Sequence, residues 1–135
     1  MKIIAIYRNS NFWIKPASLA YLLKNIRAVV LNAPAVFRFI GSANPELHLY
    51  AAQLMGKDTS NAAPEDAGAI LSQAIIELMQ KVGMPNGLSA VGYGPEDVDK
   101  LVEGTLPQHR VTKLSPHPAS AEDLKRLFLD SMTIW

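Results

Sequence analysis

Between Pro64 and Gly83 the chain carries the pattern that most restricts its fold. Ala67, Ile70, Leu71, Ala74, Ile75, Leu78, Met79 and Val82 recur at spacings of three and four. That spacing puts them on one side of an α-helix, and such a side has to be buried against something else. Pro64-Glu65-Asp66 starts the segment: a missing N–H costs nothing in a first turn, and acids favour that end. Gly83 closes it, because glycine readily takes the left-handed conformation in which helices end. Glu77 and Lys81, four apart, add modest support.

Other segments follow the same logic. Pro16 opens a run in which Leu19, Leu22, Leu23, Ile26 and Val30 form a helical stripe. The run continues through Val36 and Phe37 to Phe39, and Ile40-Gly41-Ser42 ends it. Pro34 lies inside and is expected to kink or break it. Asn44-Pro45-Glu46 is a second start, with Leu47, Tyr50, Ala51, Leu54 and Met55 as the expected buried face and Gly56 as the stop. Lys57 to Ala63 is a loop. Met84 to Gly87 forms a turn, and a further turn at Leu88 to Tyr93 tucks Leu88 and Val91 inward. Gly94-Pro95-Glu96-Asp97 starts a helix with Val98, Leu101 and Val102 inside; Asp99 continues its solvated face. Ser120-Ala121-Glu122-Asp123 caps the last helix, lined by Leu124, Leu127, Phe128 and Met132 and ending near Trp135. The expected fold is an all-α helical bundle.

A chain of 135 residues reads as one domain. Hydrophobic residues make up 49% and charged residues 19%, which marks a core-rich chain whose remaining apolar surface is covered by a second domain or subunit. The net charge of +1 gives no footprint for nucleic acid. The absence of cysteine excludes disulfides, cysteine metal sites and cysteine nucleophiles, and it fits a reducing compartment, hence a cytoplasmic setting. No apolar run is long enough to span a membrane. The apolar run before Arg8 is too short for a signal-peptide core. Ile3, Ile4 and Ile6 are β-formers with no evident partner, so residues 1–23 read as a poorly defined lead, a short strand or loosely packed chain.

Few residues suggest chemistry. There is no Gly-x-Gly-x-x-Gly run and no P-loop, so no phosphate cradle is visible. His48, His109 and His117 do not form the helical pair of a zinc site. His48 is expected at the surface of its helix, and His117, between two prolines, is expected to face solvent. The polar and partly apolar stretch from Gly104 to Pro116 stands apart. In extended chain Arg110 and Thr112 point one way and Val111 and Lys113 the other. Arg110 suits bidentate binding of a carboxylate, with Gln108 and His109 as neighbouring contacts. It equally suits capping the carbonyls that end the preceding helix, with Lys113 solvated. Leu106, Val111 and Leu114 are expected to pin the last helix to the bundle.

The run Gly-Thr-Leu-Pro-Gln-His-Arg-Val-Thr-Lys-Leu at 104–114 resembles the C-terminal part of iron-containing alcohol dehydrogenases, and within them the hydroxyacid-oxoacid transhydrogenase subgroup. So do Val29 to Phe37, Asn44 to Leu49 and Gly87 to Tyr93. The resemblance covers roughly residues 28 to 135. It divides the chain into a divergent lead, 1–23, and a partial C-terminal helical domain, 24–135, of the dehydroquinate synthase-like type.

The resemblance implies an enzyme with an N-terminal domain that binds NAD(P) and a helical domain that supplies metal ligands and part of a substrate cleft. Its reaction is nicotinamide- and metal-dependent hydride transfer between a hydroxy acid, such as 4-hydroxybutyrate, and an oxo acid, with iron or zinc as the metal. The family binds the metal through an Asp and three His. In register with the last of these His, this sequence has Asn25, followed by Ile26 where the family has Gly. No metal ligand, cofactor-binding residue or catalytic residue is therefore assigned here; Arg110, Gln108 and His109 are the substrate-contact candidates. The isolated chain is expected to be inactive and to bind no cofactor alone. Its expected partners are the nucleotide-binding domain or a second copy joined through an apolar face, with no nucleic acid and no membrane. The alternatives are a non-enzymatic helical interaction module and one half of a split enzyme. A mitochondrial setting is the alternative location for a eukaryotic chain.

Overall fold

In a computed structural model of the chain, residues 29–109 and 113–135 are described. Among them every regular element is helical, as the periodicity requires. Helix α1 covers residues 29–40, α2 Pro45–Leu54, α3 Ala67–Lys81, α4 Val98–Thr105 and α5 Ala121–Asp130. Single 3-10 turns at Gly41–Ala43, Pro64–Asp66, Ser89–Val91 and Pro95–Asp97 lead into or join them.

The helices begin and end where local chemistry says they should. Asn44 Oδ1 accepts the Leu47 N–H at 3.1 Å, satisfying one orphan donor of α2. Ser120 and Asp123 cap α5 reciprocally: Ser120 Oγ accepts the Asp123 N–H at 3.1 Å, and the Asp123 carboxylate accepts the Ser120 N–H at 3.0 Å. The Asp97 carboxylate accepts the Gly94 N–H at 3.0 Å ahead of α4. Helices α2 and α3 share one kind of stop. At Gly56 (φ 91°) the Lys57 and Gly56 N–H groups reach back to Ala52 and Gln53; at Gly83 (φ 70°) those of Met84 and Gly83 reach Met79 and Gln80. Both are Schellman motifs, which need positive φ at the glycine.

Leu31, Met79, Leu88, Val98 and Met132 form the central core, with Ile75, Leu101, Val102 and Phe128 packed against it. Burying a side chain of this size stabilises the fold by about 1.5–3 kcal/mol. Two close approaches set the geometry. Gly41, at the end of α1, meets Gly68, in the first turn of α3; a β-carbon on Gly68 would lie 2.8 Å from the Arg38 carbonyl oxygen. At the other approach, Leu88 N–H donates to Ser131 O at 2.8 Å and Ser89 N–H to Met132 O at 3.1 Å. Asn86 completes that join. Its Oδ1 accepts the N–H groups of Ile134 (2.8 Å) and Trp135 (3.0 Å), and its Nδ2 donates to Trp135 O.

Five expectations need correction. Pro34 does not break α1, which runs as helix from 29 to 40. Pro34 and Ala35 are buried, and tertiary burial outweighs the lost backbone bond. The expected inner face of α2 is its outer one: Leu47, Tyr50 and Leu54 are exposed, whereas His48 and Ala52 are buried. Ala52 is the small residue buried where α2 packs on α3, and larger side chains are on the far side. In α3, Leu78 and Val82 are exposed and Ser72 and Ile76 are buried, so the buried side is rotated from the expected stripe. Leu106 and Leu114 are exposed, so they do not pin the last helix; Val98, Leu101 and Val102 of α4 and Phe128 of α5 join the core instead. Finally, α5 ends at Asp130, and Met132 is buried from the segment beyond it. Residues 16–28 of the predicted first helix and Val111 lie outside the described residues.

Candidate functional site

The stretch that follows α4 folds back on the helix that precedes it. Gln108 N–H donates to Thr105 O at 2.9 Å, and His109 N–H to Pro107 O at 2.9 Å. The Gln108 side-chain Nε2 donates to Gly104 O at 3.1 Å. Gln108 thus caps a carbonyl at the end of α4, the role offered for Arg110 as the alternative to binding a carboxylate. Gln108 and His109 are both exposed, and Lys113 N–H donates to His109 O at 2.9 Å. The structure brings Gln108 and His109 together at the end of α4. Arg110 and Asn25 lie outside the described residues.

His117 is exposed yet engaged. Its Nε2 lies 3.2 Å from Ser42 Oγ, and its ring centroid 5.7 Å from that of Phe39. It ties the proline-fixed lead of α5 to the end of α1, which the expectation of a solvent-facing side chain missed. The neighbouring Asp123 carboxyl is held below its ordinary range. The Ser120 hydroxyl contributes most, then the Ser120 N–H, opposed by desolvation and aided by the charges of Arg126 and His117.

His48 is the functional-looking residue that the sequence reading placed wrongly. It is 7% exposed, Nδ1 lies 2.8 Å from Asn44 O, and Phe37 meets its ring edge-on at 6.0 Å. Its Nε2 is buried and has no hydrogen-bond partner among the described residues. No signal in the sequence placed it inward: His48 lies about 100° round α2 from Leu47, and only the packing of α2 decides which side is buried.

A cavity of about 320 Å³ opens between α1, α3 and the C-terminal segment, lined in part by Pro34, Arg38, Ile76, Asp130 and Thr133. Arg38 donates to the buried Ser72 Oγ at 3.3 Å. A second cavity of about 170 Å³ shares Arg38 and Asp130 and adds Asp123 and Arg126. Neither Gln108 nor His109 lines either cavity. Among the described residues no three His, Cys, Asp or Glu side chains are grouped so as to hold a metal ion.

The helical order and these sequence words find counterparts in known proteins. Residues 18–132 match the model of the C-terminal part of the Fe-containing alcohol dehydrogenase family. The chain belongs to that family. Among its relatives, a probable hydroxyacid-oxoacid transhydrogenase, mitochondrial, of Dictyostelium discoideum is 53% identical over 125 residues, 90% of this chain. The hydroxyacid-oxoacid transhydrogenases, mitochondrial, of Bos taurus and Homo sapiens are 45% and 46% identical over 108 residues, 80% of this chain. The matched part spans 23% of each of these relatives. The alcohol dehydrogenase membership agrees with the all-helical architecture and with the subgroup indicated by residues 104–114. No described helix is long and apolar enough to cross a membrane.

Proposed function

We propose that this chain is the C-terminal helical part of an enzyme of the hydroxyacid-oxoacid transhydrogenase type, in which it forms one wall of the substrate cleft. The observation that carries the reading is the 53% identity over 125 residues to a protein of that name. In such an enzyme one hydroxy acid is oxidised while an oxo acid is reduced, with 4-hydroxybutyrate as the hydroxy acid to test. The metal and the nicotinamide nucleotide that the family implies are assigned no residues of this chain. No ligand set converges among the described residues, and the sequence has no glycine-rich pyrophosphate loop. Both groups would be held by other polypeptide, a nucleotide-binding domain on the same chain or a separate one. Within this chain, Arg110 is the proposed clamp for the substrate carboxylate, with Gln108 and His109 beside it. The relatives are mitochondrial by name, which favours a mitochondrial setting over a cytoplasmic one.

A chimera tests this. Residues 29–135 replace the matching segment of the Dictyostelium relative, and 4-hydroxybutyrate-dependent reduction of an oxo acid is followed. The expected result is turnover by the chimera, a raised KM for Arg110→Ala in it, and none by the 135-residue chain alone. A folded chimera without activity, beside an active parent, would overturn the reading. Turnover by the isolated chain would overturn the dependence on other polypeptide. A second reading, a helical interaction module, is favoured by one observation: the outward apolar side of α2.

A further inference from the structure

Asn86 precedes Gly87, and no other asparagine of the chain precedes a glycine. Such a pair is chemically labile. With no side chain on the glycine in the way, its backbone nitrogen can reach the asparagine side-chain carbonyl carbon and close a succinimide ring. Here neither residue is easily replaced. Gly87 has φ 76°, and a β-carbon on it would strike Met132 O and lie 2.7 Å from Ser131 O. Asn86 holds the segment that follows α5, through the N–H groups of Ile134 and Trp135 and the carbonyl of Trp135. The join between the turn at 84–87 and residues 131–135 therefore demands the two residue types that make the pair labile.

The same join restrains the reaction. Ring closure needs the Asn86 amide carbon to swing onto the Gly87 nitrogen, and that nitrogen to give up its proton. In the folded chain three hydrogen bonds hold the amide on the backbone of Ile134 and Trp135. Gly87 is buried, and its N–H donates to Pro85 O at 3.0 Å. The next two residues, Leu88 and Ser89, are bonded to Ser131 O and Met132 O. Attack therefore waits for local opening of residues 131–135, a segment anchored by the buried side chain of Met132. Once the ring has hydrolysed, the way back is barred. An aspartate can still accept from both N–H groups, but it has no N–H for Trp135 O and sets a carboxylate against that carbonyl. An isoaspartate adds a methylene to the main chain beside Gly87, where a β-carbon already has no room.

We propose that Asn86-Gly87 is a deamidation site, guarded by the docked segment 131–135 and, once modified, unable to redock it. The Gly87 nitrogen bonds to Asn86 Cγ as ammonia leaves; water then opens the succinimide to aspartate or isoaspartate at position 86, with no change of oxidation state. The proposal does not depend on the transhydrogenase reading. The 135-residue chain is aged at mildly alkaline pH with and without denaturing urea, and its peptides are followed by mass spectrometry and by enzymatic methylation of isoaspartate. Isoaspartate is expected at position 86, forming on the order of tenfold or more slower in the native chain than in urea, because the native rate scales with the fraction of time the segment is open. Met132→Ala loosens the anchor and should speed the reaction without urea; if that variant does not fold, urea below the unfolding transition serves in its place. Asn86→Asp should accelerate hydrogen exchange at the Trp135 amide with helical circular dichroism unchanged. No isoaspartate at position 86 of the unfolded chain would overturn the site. Equal rates in the native and unfolded chains would overturn the guard. Native exchange at Trp135 in Asn86→Asp would overturn the barred return.

Discussion

Gly41 and Gly68 meet backbone to backbone. A β-carbon built on Gly41 would fall within contact distance of Gly68 Cα and 2.7 Å from its N; one on Gly68 would lie 3.1 Å from Gly41 Cα. Neither glycine is there for positive φ. Each is there because the end of α1 crosses the start of α3 with no room for a side chain, and the atoms it would strike are backbone. Gly68→Ala is therefore expected to cost about 1–3 kcal/mol, in the range of overpacking substitutions. Thermal unfolding checks it, with Gly104→Ala as control, since among the described residues nothing lies within 4 Å of a β-carbon there. Equal melting temperatures would show that the crossing relaxes freely.

Asn86 holds the end of the chain from 48 and 49 residues away. Asn86→Ala leaves two N–H groups without their acceptor, and each such loss costs about 1–3 kcal/mol where the donor is buried and less where water reaches it. Ile134 is half-buried and Trp135 exposed. Hydrogen exchange should accelerate at both amides, while the Leu31 amide, in the core, changes only as far as global stability does.

Replacing His48 with phenylalanine is expected to stabilise the chain by about 1 kcal/mol. The substitution removes a buried ring nitrogen that has no partner among the described residues and keeps the aromatic contact with Phe37. Asn44 O loses Nδ1 but keeps the backbone N–H of position 48 at 3.2 Å. Chemical denaturation of His48→Phe and His48→Ala separates the two terms. The alanine variant should lose stability through the cavity it leaves, and a phenylalanine variant weaker than the native chain would contradict this account.

The α5 capping box gives a pH dependence of known sign. Asp123 has its carboxyl pKa lowered from the ordinary 3.8, chiefly by the Ser120 hydroxyl. A depressed folded value means that the stabilisation is fully present above the ordinary pKa. It is lost as pH falls below about 4 and through the folded value. Carboxyl titration by NMR should show Asp123 below the ordinary value in the native chain and moved back toward it in Ser120→Ala. The same logic applies to Glu77, lowered first by its hydrogen bond to Lys57 and then by Gln73. Lys57→Ala should raise it.

Helix starts and stops were legible because they depend on neighbours in sequence. Asn44, Ser120, Gly56 and Gly83 act through residues at most five positions away. The orientation of α2 was not legible. The larger apolar residues mark one side, but the side that packs on α3 carries Ala52, and only the positions of the other helices decide this. His48 was misplaced for the same reason. Asn86 read as a turn residue because its partners, Ile134 and Trp135, are remote in sequence. At the candidate site, the family resemblance led to residues 104–114, but the capping role of Gln108 needed coordinates. The expected pairing of Glu77 with Lys81 gave way to Lys57, a residue from the loop before α3.

The stops at Gly56 and Gly83 bear on how this chain can be taken apart and rebuilt. The stop of α2 is set at Gly56 and Lys57 and the start of α3 at Pro64, so residues 58–62 encode neither boundary. Within that linker Ser60 bonds only to Asp58 close by. A tag, a protease site or a fluorescent probe spliced in after Asn61 should leave both helices and their packing unchanged, since lengthening a surface loop adds only about 0.6 kcal/mol per doubling. For work on this molecule, that linker is the natural port of entry.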